Sequence, residues 1–309
     1  MILCCGEALI DMLPDFSKAG NRCFVPKVGG SVFNTAIALG RLSANVCLFA
    51  GISQDLFGKM LEKELVHSKV GTHYLVHFDN PSSLAFVDLF NQQAEYTFYT
   101  NDAADTMLRL SDFRVNYLKS KTMFFGGISL CKDPTASTML KLMLKSSVSN
   151  VIMIDPNIRI AFISDEVSYR KRLTKMLLTS DIIKMSDADL EWLVPDKSRT
   201  HLKIEKLFGK LKKLIIITKG EKGSYAFFGS KKIAEVVSIP VRVVDTLGAG
   251  DTFIAGLIYS LQQQRALTKQ FCREPNSSII QEALKYATRL SSFTVSKAGA
   301  SPPWLNELK

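Results

Sequence analysis

Residues 243–253, reading Val-Val-Asp-Thr-Leu-Gly-Ala-Gly-Asp-Thr-Phe, constrain this chain more than any other stretch. Two β-branched residues run out at Asp245, glycines follow at Gly248 and Gly250, and an apolar helical pattern runs from Phe253 to Leu261. That order predicts strand, turn, helix. Glycines at such a turn permit backbone conformations closed to other residues, so successive N–H groups point into one concavity at a helix N-terminus, where phosphate binds. Asp251 is the odd residue, because a carboxylate inside an anion-binding turn repels the guest. In phosphoryl transfer a carboxylate beside the transferred group takes the proton of the attacking hydroxyl. An aspartate here also fits a plain helix cap.

Two competing motifs fit poorly. A dinucleotide fingerprint needs a third glycine where the chain has Phe253, and belongs after a first strand rather than late in the sequence. The pattern G-x-x-x-x-G-K-[ST] occurs nowhere, which argues against a P-loop enzyme.

With 309 residues, 47% of them apolar, the chain can bury roughly three-quarters of its unfolded surface as one large domain with an appendage. The net charge of +10 is spread along the sequence, so anionic small substrates account for it and no nucleic-acid partner is expected. Six cysteines show neither C-x-x-C spacing nor clustering with the four histidines, which predicts reduced thiols in an intracellular chain. The apolar start ends at Gly6-Glu7, too short for a signal peptide, and no apolar run approaches the roughly 18 residues that cross a bilayer. A cytoplasmic protein without a membrane partner is expected.

Along the chain, apolar strand patterns alternate with helical ones. Ile2–Cys5 reads as a buried strand, and residues 7–12 alternate until Pro14 ends them, which sets Asp11 beyond a strand end. Ligands bind at such ends in open α/β sheets, so Asp11 suits either a polyol or an ordinary turn. Gly29-Gly30-Ser31 precedes a helical stripe, with Asn34 in its first turn offering both donor and acceptor to sugar hydroxyls. Residues 83–90 and 95–100, joined by Asn91-Gln92-Gln93, predict a hairpin whose Phe98 and Tyr99 either cover a substrate or simply pack. Asp155-Pro156-Asn157-Ile158-Arg159 follows another strand, as an edge site or an internal ion pair. The acidic run at 187–191 opens a short helix and serves either Mg²⁺ or the helix dipole. After the apolar residues 214–218 comes Lys219-Gly220-Glu221-Lys222-Gly223, a turn that suits a nucleotide or a hairpin entry. Gly299 is placed to cap the last helix.

Gly29-Gly30 with Asn34, then Asp155-Pro156-Asn157, then Asp-Thr-Leu-Gly-Ala-Gly-Asp-Thr-Phe stand in an order that resembles the ribokinase-like carbohydrate kinases of the PfkB family. The resemblance runs from Gly6-Glu7 to Pro303. Gly6-Glu7-Ala8-Leu9-Ile10-Asp11-Met12, Asp155-Pro156-Asn157-Ile158-Arg159, Lys184-Met185-Ser186-Asp187 and Gly299-Ala300-Ser301-Pro302-Pro303 look most like bacterial fructokinases within it. The resemblance implies an α/β fold: an αβα sandwich with a mostly parallel sheet, in a single domain over 1–309. A small β-sheet lid is implied at approximately 9–29 and 82–101.

The activity implied is transfer of the ATP γ-phosphate to a sugar hydroxyl, with ATP and Mg²⁺ as cofactors and K⁺ as a further one. Asp251 matches the family's base, and the amides of Gly248, Ala249 and Gly250 match its anion hole. Asp11, Gly30, Asn34 and Arg159 match sugar-side positions, with Phe98 on the lid. Lys184, Thr218, Gly220 and Gly223 match the nucleotide side. Asp245, Leu247, Thr294 and Gly299 fall where many members bind a monovalent cation. One departure stands out: the family's Asn-x-x-Glu aligns with Ser186-Asp187-Ala188-Asp189. Asp189 then handles Mg²⁺ through a water, with Glu191 as a second candidate. Partners are the sugar and ATP, and exposed lid strands suit a homodimer. Other readings are a kinase for 2-keto-3-deoxygluconate, ribose or a nucleoside, with Arg159 gripping a sugar acid's carboxylate. A non-catalytic sugar or nucleotide sensor and a dehydrogenase complete the set.

Overall fold

A computed structural model of the chain describes residues 1–90, 93–113 and 120–308. Its main sheet has eight strands in the spatial order Lys231–Val236, Ser224–Phe228, Leu214–Thr218, Ile182–Ser186, Val151–Asp155, Thr122–Gly126, Ile2–Cys5 and Val46–Phe49. The last six run parallel, and the hairpin of the first two closes one edge antiparallel. Strands such as Ile2–Cys5 and Val151–Asp155 are buried at every position. That explains their near-continuous apolar sequences, since a parallel sheet covered on both faces has no polar side.

Alternate residues of one strand serve different cores. Ile2 and Cys4 pack into the layer of the Ser31–Arg41, Ala249–Gln263 and Ser277–Val295 helices. Leu3 and Cys5 pack into the layer of Thr135–Ser146, Glu166–Thr179 and Thr200–Phe208. The period-2 direction of strand side chains makes this split automatic. The chain is thus an α/β sandwich with a mostly parallel central sheet. Among the described residues no helix is long and apolar enough to cross a membrane.

The order of strands reverses at Ile2–Cys5. Val46–Phe49 lies on one side of it and Thr122–Gly126, with all later strands, on the other. The carboxyl ends of Ile2–Cys5 and Thr122–Gly126 therefore form a topological switch point, the place where open α/β sheets leave a crevice. A second sheet stands over that end, in the order Arg22–Gly29, Leu9–Phe16, Leu84–Phe90, Gln93–Tyr99.

Three local expectations change. Pro14 does not stop its strand: Leu9–Phe16 runs through it, with Pro14 opposite Phe24. Pairing on the other side ends at Met12, and a proline is tolerated where a strand has one neighbour only. Asp11 consequently lies within a strand, not beyond one. Val243-Val244-Asp245 joins no sheet; the amides of Val244 and Asp245 donate to Val295 O instead, at 2.8 and 3.3 Å. The hairpin between Leu84–Phe90 and Gln93–Tyr99 is antiparallel, Leu84 opposite Tyr99, while Asn91 and Gln92 lie outside the described residues.

The helix bearing Asp251, Ala249–Gln263, is fixed by close approach to Ser277–Val295. A Cβ added at Gly256 would lie 2.9 Å from Ala287 Cα. Gly256→Val is therefore expected to cost about 1–3 kcal/mol by overpacking, seen as a lowered Tm in a thermal melt. A melt matching the parent would show that the helices part freely.

Candidate functional site

A cleft of about 1000 Å³ separates the switch-point end of the main sheet from the small sheet, and residues of both line it. Asp251 is at its floor, 8% exposed, in the first turn of Ala249–Gln263. The helix is capped at Gly248, whose φ of 73° is left-handed, so Asp251 is not the cap. Its carboxylate instead accepts from Ser31 Oγ at 2.8 Å and Asn34 Nδ2 at 2.9 Å, both on the Ser31–Arg41 helix. Burial raises its pKa above the ordinary aspartate value, against the pull of those two bonds and of the Lys184 and Arg159 charges.

The first-turn amides beside Asp251 have no intrahelical acceptor, by helix geometry. Gly248 and Gly250 line the cleft; Ala249 does not, and its amide is already directed at Thr246 O, 3.3 Å away. Lys184, 5% exposed, brings its ammonium to the same spot: a Cβ on Gly250 would stand 3.5 Å from Nζ. Lys184 Nζ donates to Asp155 Oδ2 at 2.7 Å. Burial pulls the lysine's pKa down, but Asp155, Asp189 and Asp251 together hold it above its ordinary value. Burial pushes Asp155 up to about 6 against the pull of Lys184. The other oxygen of Asp155, Oδ1, is buried and accepts no hydrogen bond.

Across the cleft, Asp11 reaches in from the small sheet, and burial followed by the nearby Asp251 charge pushes it up to about 6. Gly29 makes the room: a Cβ there would fall 2.1 Å from Asp11 Oδ2. Gly30 and Asn34 line the same wall. Phe98 also lines it, against Phe162 at 3.8 Å between ring centroids. Arg159 sits at the rim, exposed, its Nη1 donating to Ile158 O at 3.2 Å.

Other expected residues fall elsewhere. Thr218 ends its strand opposite Ser186, and Gly220 and Gly223 carry the turn behind it with φ of 52° and 88°. This turn is on the same sheet edge as Lys184 but outside the outlined cleft. Asp189 is spent on backbone: Oδ1 accepts from Ile158 N at 2.8 Å, and Oδ2 from Ser186 N at 2.8 Å and Ser186 Oγ at 2.6 Å, forming a capping box. Glu191 pairs with Lys203. Neither carboxylate lines the cleft: Asp189 caps its helix, and Glu191 forms an ion pair with Lys203. Among the described residues no three His, Cys, Asp or Glu side chains cluster as metal ligands.

Asp245 ties two loops, accepting from Leu247 N at 2.9 Å and Gly299 N at 2.8 Å. Thr294 is buried beneath them, its Oγ1 donating to Thr252 Oγ1 at 3.1 Å. Asp245, Leu247 and Gly299 therefore meet, while Thr294 lies next to Val295, whose carbonyl accepts from Asp245 N. Gly299 is not the helix cap, since Ser296 closes Ser277–Val295.

Sequence reasoning passed over three residues. Glu7, 1% exposed at the switch point, accepts from Ser31 N at 2.8 Å and Ser129 N at 3.2 Å. Its signal is a carboxylate set two residues after an all-apolar strand. Ser31 is a direct partner of Asp251, and only its place beside Asn34 hinted at that. Phe162 meets Phe98 from another part of the chain, a contact that sequence spacing does not encode.

A family model described as pfkB family carbohydrate kinase matches residues 1–307. The chain is 42% identical over 270 residues to a fructokinase of Rhizobium leguminosarum bv. trifolii, covering 87% of this chain and 82% of the relative. Among solved structures, the fructokinase of Xylella fastidiosa with bound ATP has a TM-score of 0.89 at 27% identity, covering 99% of this chain and 96% of that one. A fructokinase of Vibrio cholerae O395 in a form with fructose, ADP and calcium has a TM-score of 0.82 at 25% identity, covering 97% and 94%. With a floor carboxylate beside free helix-start amides and a match along almost its full length, the chain belongs to the pfkB family of carbohydrate kinases.

Proposed function

We propose that the chain transfers the γ-phosphate of ATP to a hydroxyl of fructose, giving fructose 6-phosphate, with Asp251 as the base. The observation that carries this is the placement of Asp251. Its carboxylate is oriented by Ser31 and Asn34, adjoins the first-turn amides of a helix, and faces a cleft that also holds Asp11. The fructokinase relatives, one of them solved with ATP, supply the substrate class.

Asp251 takes the proton of the attacking hydroxyl, which makes the oxygen nucleophilic as it approaches phosphorus. The amides of Gly248 and Gly250, with the Lys184 ammonium, receive the charge that gathers on the transferred group. Asp155 holds Lys184 in place through the 2.7 Å bond. Asp11, Gly30 and Asn34 form the sugar wall, and Arg159 its rim. Thr218, Gly220 and Gly223 are assigned to the nucleotide's far end, and Ala249 to helix structure behind the amides. The small sheet, over 9–29 and 82–101, acts as a lid within a single domain over 1–309. Phe98 against Phe162 then excludes water, which would otherwise act as acceptor.

A divalent cation accompanying ATP supplies phosphate charge neutralisation when bound, and we assign it as Mg²⁺. Asp155 fits it best, since the residue lines the cleft and its buried Oδ1 accepts no hydrogen bond among the described residues. Asp245, Leu247, Thr294 and Gly299 are the positions we assign to K⁺, with Leu247 and Gly299 tied by the Asp245 carboxylate. Phe16 and Tyr99, 72% and 61% exposed on the lid sheet, support a homodimer through that sheet. Six free cysteines suit a reducing compartment, and the cytoplasm also supplies ATP. Arg159 favours one second reading, 2-keto-3-deoxygluconate kinase, because an exposed guanidinium at the rim suits a sugar acid.

ATP consumption against fructose, 2-keto-3-deoxygluconate, ribose, glucose and adenosine, with Mg²⁺ and with or without K⁺, tests the reading. Selective turnover of fructose is expected, and turnover of another acceptor alone would overturn the substrate. Asp251→Asn should keep fructose binding, measured by calorimetry, while turnover falls about 100- to 10,000-fold; parental turnover would end the base assignment. Because the folded pKa of Asp251 is raised, its active, ionised form is lost as pH falls through a value above the ordinary aspartate range of about 3.9. The acid limb of kcat/KM is expected there, and activity flat down to about pH 4 would contradict it.

A further inference from the structure

We infer that Glu7 is a positioning residue for the base: it anchors the helix start from which Ser31 and Asn34 orient Asp251. The inference rests on Asp251 as base, but its evidence is separate. Glu7 leaves the end of the first strand at the switch point with its carboxylate 1% exposed. Oε1 accepts from Ser31 N at 2.8 Å and Val32 N at 3.4 Å, the opening amides of the Ser31–Arg41 helix. Oε2 accepts from Ser129 N at 3.2 Å, on the other side of the switch point.

Two glycines are shaped around it. A Cβ on Gly127, at φ 65°, would lie 2.1 Å from Oε1, and one on Gly30 would lie 3.3 Å from Glu7 Cγ. The carboxylate thus does for this helix what a side-chain cap would do. Gly30, the residue at that position, has no side chain to offer, and negative charge suits a helix N-terminus. Ser31 gives its amide to Glu7 and its hydroxyl to Asp251, so one residue couples the two carboxylates.

Displacing Glu7 moves Ser31, and Asp251 loses a bond that favours its charge. The consequence has a definite sign: the Asp251 pKa, already raised, rises further, and the acid limb of kcat/KM moves to higher pH. Other charges around Asp251 are Asp11 from the small sheet, Asp155 and Lys184 from the main sheet, and Arg159 from the rim. Asp105 and Cys131 lie near Glu7 itself. All are shared by the variants below and cancel in their comparison.

The test compares the full chain with Glu7→Gln, Ser31→Ala and the double variant, using pH profiles with fructose and ATP. The glutamine keeps the size but turns an NH₂ toward backbone donors. Glu7→Gln should lower kcat about 10- to 100-fold with KM for fructose little changed, and shift the acid limb upward. The shift should be no larger in the double variant than in Ser31→Ala. An unmoved limb, or shifts that add in full, would overturn the inference. If Glu7→Gln does not fold, Gly127→Ala takes its place: the same upward shift supports the inference, and an unmoved limb overturns it. If the parent phosphorylates no sugar, the base assignment fails by itself. Hydrogen exchange then decides for Glu7, with faster exchange at Ser31 and Ser129 expected in Glu7→Gln and unchanged exchange overturning the anchor.

Discussion

The contact between the Asp251 carboxylate and the Ser31–Arg41 helix is the interaction on which the site depends. Burying a carboxylate is costly unless hydrogen bonds replace water, and here two donors from one helix do so. Those donors are separated from Asp251 by more than two hundred residues, so the bonds exist only if two helix starts meet. The parallel sheet arranges that meeting. Both helices pack on one face of it, and the close approach at Gly256 sets the depth of the second. The small sheet then needs only to continue from the first strand, through Glu7, to bring Asp11 opposite.

Much of this was legible because the strands are buried on both faces and leave unbroken apolar runs. Val151–Asp155 and Leu214–Thr218 have the bounds their sequences suggest. The glycine turn before Asp251 was legible for a different reason: a left-handed residue and free amides demand glycine whatever the surroundings. Val243 and Val244 misled because β-branched residues favour strands only where a partner strand meets them, and here the backbone turns to Val295 instead. Pro14 misled in the opposite sense, since a strand paired on one side spares its amide.

The side-chain roles were less legible, because local and distant partners compete for the same atoms. Asp189 stands in the position of a family glutamate, yet three residues after a serine at a helix start it closes a capping box. The buried carboxylate oxygen left without a partner among the described residues is Asp155 Oδ1, which no local pattern marks. Glu7 was hidden likewise, since its partners come from two other segments.

The charges in the cleft explain why a chain with so many acidic groups at one point can receive an anion. Glu7, Asp11, Asp155 and Asp251 all line it, and burial raises the pKa of each. Three of them are partly neutralised, each in its own way. Glu7 faces amides, Asp155 faces Lys184, and Asp251 faces Ser31 and Asn34. For Asp11 both causes, burial and the Asp251 charge, act upward with nothing pulling the other way, which suits a group that waits for sugar hydroxyls to donate to it. The result is a division of the floor: one end presents acceptors to a polyol, and the other, at Gly248, Gly250 and Lys184, presents donors and positive charge. Under the proposed function Asp251 stands at the boundary, where a proton leaving the first is traded for a phosphoryl group arriving from the second.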